Sequence, residues 1–298
     1  MKTIKSWTAL LHREYLEHRM SFIYFPIGIL VLLAFSAGSG LLFNRMRFDF
    51  PLGPGTPSTL KLFELGYLLL AALWLVYLAI ALFFYFGDAF SADRRNNAMF
   101  FWKSMPVTDF KILAAKFFSG TLLFPLILLG VTLVSGLVFF LVVNLAPMVV
   151  PGLLLPSPGE ALLSFVNISI FAFVYTALAL LWYAPFLAWV GGLSAVFGRW
   201  SLVLAFLIPG LLAVVENIVF IGQIPRGGYI WGYLSQRFNF GLDETDYMAL
   251  LIPLHNFSAA DFIARLWRHI DWTGMGTGVI FAILVLWLAS EYRRRRIA

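Results

Sequence analysis

The chain has no cysteine, and charge is nearly as scarce: Asp, Glu, Lys and Arg make up 12% of its 298 residues. Without cysteine there are no disulfides, no thiol nucleophiles and no thiolate metal sites. A soluble domain carries roughly 25% charged and about 45–50% apolar residues. This chain is 61% hydrophobic, with a mean hydropathy of +0.88. Too few polar residues remain to cover a core of that size, so lipid must form part of the solvent and a soluble enzyme is excluded. Also missing are a Gly-x-x-x-x-Gly-Lys-Ser/Thr phosphate loop and a nucleophile elbow. The histidines, His12, His18, His255 and His269, form no close ligand pair within an apolar run, so no metal site is expected.

What is present is apolar sequence in long continuous runs. Six of them, at 21–43, 62–87, 112–145, 161–190, 201–222 and 273–290, reach or approach the ~20 residues a helix needs to cross a bilayer. Backbone polar groups in lipid must be satisfied within the span, which leaves helices or a closed barrel. The runs do not alternate, so helices are expected: an all-α, polytopic membrane protein forming one transmembrane domain over 1–298. The 31 Phe, 11 Tyr and 10 Trp suit lipid contact and membrane interfaces. Prolines punctuate the spans at Pro26, Pro125, Pro185 and Pro209. Each removes a donor and can kink its helix, and Pro209-Gly210 is a candidate hinge or break in the fifth span.

The net charge of +6 sits mostly at the edges of these runs, where it sets orientation rather than binding nucleic acid. One side collects Lys2, Lys5, Arg13, Arg19, Arg94, Arg95, Lys103, Lys111, Lys116, Arg199 and the run Arg293 to Arg296. The other holds Arg45, Arg47, Lys61, Arg226, Arg237, Arg265 and Arg268. By the positive-inside rule both termini face the cytoplasm. No cleavable signal peptide is expected, because the first run follows twenty residues rich in charge and is too long for a signal core. Residues 223–272 then form the longest outer loop, with apolar patches at 247–254 and 257–267 expected to be short helices lying on the bilayer or over the outer mouth.

Two segments outside the spans stand out. In the first, at 1–20, Ile4, Trp7, Leu11 and Tyr15 recur at helical spacing, as in an interfacial amphipathic helix. The second is the loop 88–111. There Ser91 or Asp93 is expected to cap a short helix that Pro106 ends, and Thr108 to cap the third span with Asp109 in its first turn. Phe100-Phe101-Trp102 makes an apolar tip, which either dips back into the interface or docks on a cytoplasmic partner.

Asp93-Arg94-Arg95, followed by Phe101-Trp102-Lys103-Ser104-Met105-Pro106-Val107-Thr108 and then Lys116, resembles the first cytoplasmic loop of type-2 ATP-binding-cassette permeases. The overall plan of amphipathic helix, six spans, long final outer loop and basic tail extends the resemblance along the chain. Met105 stands where many members carry Leu, and the Gly-Thr pair often seen before the motif is absent. The resemblance implies a permease subunit of an ATP-driven exporter in a bacterial inner membrane, working as two membrane subunits with two cytoplasmic ATPase subunits. The chain would bind no cofactor; ATP and Mg would be held by the partner. Asp93, Arg94, Arg95, Phe101, Trp102, Ser104, Met105, Pro106 and Val107 would then form the coupling element. A lipophilic, amphipathic or peptide cargo would suit the many aromatics.

Glu216-Asn217 lies toward the outer half of the fifth run. An acid at mid-bilayer is unfavourable by roughly 2.5–3.5 kcal/mol on insertion scales. Glu216 therefore makes a structural hydrogen bond, or else lines the transport pathway or the dimer seam. A secondary transporter or channel would more often show several intramembrane polar groups and inverted repeats. A membrane-embedded enzyme would need paired acids or a nucleophile near one interface.

Overall fold

The computed structural model describes residues 2–43, 59–95, 107–145, 157–221, 227–238, 240 and 257–296, and all of their regular structure is helical. The amino-terminal helix α1 (Lys2–Arg19) does not stop before the first apolar run. It passes through a π-turn, Met20–Tyr24, directly into α2 (Phe25–Leu42). Helix α3 spans Thr59–Arg95. The third run is α4 (Asp109–Phe118), a second π-turn at Ser119–Leu123, and α5 (Phe124–Leu145). Helix α6 (Pro158–Phe197) and α7 (Ser201–Val219) are joined by a single 3-10 turn, Gly198–Trp200. Two short helices, α8 (Gly228–Phe238) and α9 (Ala259–His269), precede the terminal α10 (Trp272–Arg296).

Among the described residues, five helical runs are long and apolar enough to cross a membrane, the architecture of a multi-pass membrane protein. The expected fourth and fifth spans lie in one of them, the 61-residue run Gly159–Val219. Held straight at 1.5 Å per residue, that run would reach about 90 Å, far beyond the hydrocarbon. Instead it folds back. Gly198, at φ +60°, takes the left-handed conformation that glycine tolerates. Beyond the turn the Trp189 indole N–H donates to the Ala205 carbonyl at 3.3 Å.

That same bond explains why the break expected at Pro209 is absent. Proline at 209 cannot donate to the carbonyl four residues back, which is Ala205; Trp189 supplies the missing donor, and α7 runs on unbroken. Pro26 and Pro125 are accommodated differently, each lying just after a π-turn. In π register the Pro26 nitrogen would face the Ser21 carbonyl, and the Tyr77 hydroxyl donates to that carbonyl instead. The first π-turn packs against the start of α5, with Phe22 and Phe124 stacked at 3.9 Å.

Helix α6 packs most extensively, against α3 and against α10, and α3 packs in turn on α5. Helix α3 meets α5 closely because each helix offers a glycine to an aromatic ring of the other. A methyl group at Gly66 would overlap the Phe139 ring, and one at Gly136 would overlap Tyr67. Some buried polar groups of this core pair with one another: Trp74 Nε1 donates to Ser135 Oγ at 2.9 Å, and Tyr67 Oη lies 2.9 Å from Ser169 Oγ. By contrast, α2 and α7 leave many large apolar side chains exposed, among them Leu32, Phe35, Phe206 and Ile218. Water would not favour such faces, as expected of helices that face lipid.

Two expectations need correction. Ser91 and Asp93 do not cap a separate short helix, because α3 continues through both to Arg95. Ser91 Oγ bonds back to the Asp88 carbonyl at 3.1 Å, while Asp93 is turned into the bundle. Helix α8 was not expected, whereas the patch at 257–267 does form a helix, α9; the patch at 247–254 lies outside the described residues.

Candidate functional site: a buried charge cluster at the terminal end of the bundle

The second half of α1, the end of α3, both ends of α4 and the end of α10 meet at the end of the bundle that carries both termini. The sequence makes each of these stretches polar, and the fold buries the polar groups against one another. Glu14, Asp93, Lys116 and Arg293 are each no more than 3% exposed. Such groups persist in a low-dielectric interior only when paired.

Lys116 is the hub. Its Nζ lies 3.0 Å from Glu14 Oε1 and 3.7 Å from Asp93 Oδ1. Asp93 also meets Arg13 Nη2 at 3.4 Å and Arg293 Nη1 at 3.3 Å. The Tyr85 hydroxyl lies 3.0 Å from Glu14 Oε2 and 2.9 Å from the Lys116 carbonyl. Its single proton serves one of these acceptors at a time. The Arg293 guanidinium reaches past Asp93 to Asp109, with Nε 3.6 Å from Oδ1. Arg13 additionally pairs with Glu17 at 2.8 Å one turn along α1.

Apolar contacts seat α1 on this cluster. Leu10 is buried against Ile112 and Ala115, with Trp7 and Val107 packed on them. The Lys111 ammonium lies 5.5 Å from the centre of the Trp7 ring, a cation–π contact that adds to the docking. Thr108 caps α4 as expected, accepting from the Lys111 amide at 3.3 Å, with Asp109 in the first turn.

Of the residues the sequence singles out, Asp93 is central to the cluster and Val107 lies at its edge. Arg94 and Arg95 end α3. Phe101, Trp102, Ser104, Met105 and Pro106 lie outside the described residues. The described neighbours bracket them, since Asp93 precedes the segment and Asp109 follows it. Glu14, Glu17 and His18 bring one ligand atom each within 4.8 Å of one another. Glu14 is already committed to Lys116 and lies beside the Tyr85 hydroxyl, so the group reads as an ion-pair cluster.

The opposite end of the bundle holds the other singled-out pair. Glu216 receives the Tyr229 and Ile230 amides, both at 2.9 Å, one on each carboxylate oxygen. It therefore caps the N-terminus of α8, where a carboxylate is favoured by free N–H groups and by the helix dipole. Asn217 Nδ2 donates to the Gly227 carbonyl at 3.0 Å. The approach needs glycine: Gly227 and Gly228 have φ of +97° and +81°, and a Cβ at 228 would stand 2.7 Å from Glu216 Oε2. Glu216→Ala should lower the stability of this cap by about 0.5–2 kcal/mol. Amide exchange at Tyr229 and Ile230 should rise accordingly; unchanged exchange would assign the carboxylate to another task.

Three further groups at this end escaped the sequence reading. Glu64, inside the second apolar run, is fully buried; Ser164 Oγ donates to it at 2.6 Å and the Phe257 amide at 3.2 Å. Arg237 is 2% exposed, lies 4.3 Å over the Trp182 ring, and donates to the Trp182 and Gly274 carbonyls. The Trp182 carbonyl lies one turn before Pro185 in α6, so Arg237 ties α8 to α6 and to α10. Asp271 caps α10 by accepting the Gly274 amide at 2.9 Å. That bond, assisted by Thr273, holds its carboxyl below the ordinary range. Its contribution is complete at neutral pH and fades as the pH falls through the lowered native value.

Comparison of the chain with known proteins gives no match to a protein-family model, to a curated protein or to a solved structure.

Proposed function

We propose that this chain is the membrane subunit of an ATP-driven exporter, moved by a separate cytoplasmic ATPase through the segment between α3 and α4. The observation that carries the reading is the buried cluster, which ties both ends of that segment to α1 and α10. A push on the segment would thereby reach four helices without a flexible joint. The motif from Asp93 to Thr108 adds the resemblance to type-2 permeases, and the sequence Phe100-Phe101-Trp102 adds three large aromatics whose burial on a partner would be favoured by about 1.5–3 kcal/mol each. Because the chain carries no phosphate loop, ATP and Mg belong to the partner.

In this reading the α6–α7 hairpin supplies the fourth and fifth of six spans, and both termini face the cytoplasm. Two such subunits pair, with two ATPases below. Closure of the ATPases on ATP drives the segment 94–108, the cluster transmits the motion, and a lipophilic, amphipathic or peptide cargo leaves toward the outer side. Topology is tested by impermeant thiol labelling, for which the cysteine-free chain needs no background removal. Cysteine at Gly55 or Asp243 should react from outside, and cysteine at Asn97 should not; outside labelling at Asn97 would reverse the orientation. The function itself is tested by purifying the chain in mild detergent, from cells that make it, and assaying ATP hydrolysis. A copurifying ATPase whose turnover depends on this subunit is the expected result.

One observation favours a secondary transporter: Glu64 is a buried acid with no cation against it among the described residues. Intramembrane acids often mark proton or ion pathways. Transport that persists without ATP but follows a proton gradient would select that reading.

A further inference from the structure

We infer that Arg293 is a positioning residue that makes the carboxy-terminal helix a working arm of the coupling device, an inference that rests on the coupling reading above. The basic tail at 293–296 reads in sequence as an orientation signal, and Arg294 and Arg295 fit that, each exposed and paired with Glu291 on their own helix at 2.8 and 2.7 Å. Arg293 differs from both. It is 3% exposed, and one guanidinium faces two acids on different helices, Asp93 at 3.3 Å and Asp109 at 3.6 Å.

Those two acids stand at the two ends of segment 94–108. Asp93 is in the last turn of α3 and Asp109 in the first turn of α4. A planar guanidinium can hydrogen-bond Asp93 through Nη1 while its Nε side makes an ion-pair contact with Asp109, a two-sided arrangement that a point-charge ammonium cannot hold. Arg293 thus fixes where α4 begins relative to where α3 ends, and fastens α10 to both. Lys116 and Arg13 also hold Asp93, so Asp93 stays compensated when the Arg293 contact changes. Against Asp109 stands the guanidinium of Arg293.

The test keeps the charge and removes the fork. In the full chain, reconstituted in lipid nanodiscs, spin labels at Phe110 and Arg295, both exposed, report the distance from the start of α4 to the end of α10. The native protein should give one narrow distance distribution. Arg293→Lys and Asp109→Asn should each broaden it at least twofold, and Arg294→Lys should leave it unchanged. Capture of the ATPase should survive in Arg293→Lys, while the stimulation of ATP turnover by the membrane subunit falls fivefold or more.

An unchanged distribution in both variants overturns the inference, as does a broadened one with full stimulation. Should Arg293→Lys fail to fold, Asp109→Asn decides alone, since Asp109 is a quarter exposed and tolerates the change. If the native chain captures no ATPase, the exporter reading fails. The distance measurement then still decides whether Arg293 holds the two helix ends.

Discussion

Replacing Lys116 by methionine should lower stability by about 3–5 kcal/mol, the largest effect expected of any single substitution in this chain. The ammonium is 1% exposed and faces two buried carboxylates. Removing it leaves Asp93 with Arg13 and Arg293. Glu14 keeps the Tyr85 hydroxyl and His18, whose Nε2 is 3.8 Å away. An uncompensated carboxylate in such surroundings is far costlier than the absence of the whole pair. The double variant Glu14→Gln, Lys116→Met should therefore recover much of the loss. Thermal unfolding in detergent across the four members of that cycle measures the coupling. A single variant within about 0.5 kcal/mol of the native protein would mean that water reaches the cluster.

The second large effect concerns Trp102. In sequence it lies at an apolar tip followed by Pro106, and under the proposed function the ATPase takes that tip up. Truncating a central aromatic anchor typically weakens an interface by about 2 kcal/mol or more, roughly a thirtyfold loss in affinity. Trp102→Ala should therefore abolish most ATPase recovery in a detergent pull-down while membrane insertion and yield stay normal, because no span is altered. Adding Met105→Asp should remove the remainder. Normal recovery and activity from the double variant would make the segment an interfacial belt with no docking role.

The spans were legible because lipid imposes a coarse and continuous signal: each apolar run became helix, with Pro26 and Pro125 placed just after π-turns and the Ala205 carbonyl facing Pro209 taken by Trp189. Their ends were less legible. Apolar patterning stops near Gly87 and Ser290, but the helices continue to Arg95 and Arg296 because their polar last turns have partners in other helices. The helix α1 is a similar case. Its apolar spacing at Trp7 and Leu11 reads as a surface-lying helix, whereas the buried Leu10 and Glu14 dock it on α4 and on Lys116.

The cluster itself could not be read from spacing, since Arg13 and Asp93 are 80 positions apart and Asp93 and Arg293 are 200 apart. One signal was available. Lys116 follows Ile112, Leu113, Ala114 and Ala115 and precedes Phe117 and Phe118, and a lysine so flanked needs a buried acid. Glu64, between Phe63 and Leu65, carries the same signal. Glu216 was visible as an acid in an apolar run; its partner was not, because α8 has no long apolar period to announce it.

A photoreactive phenylalanine analogue placed at Trp102 offers the most direct test of the coupling claim. In native membranes, irradiation should join this position to a cytoplasmic ATPase, with a yield that changes between nucleotide-free and ATP-bound states, while the same analogue at Gly55 yields no such adduct. Adducts at Trp102 with lipid alone, in both nucleotide states, would contradict it.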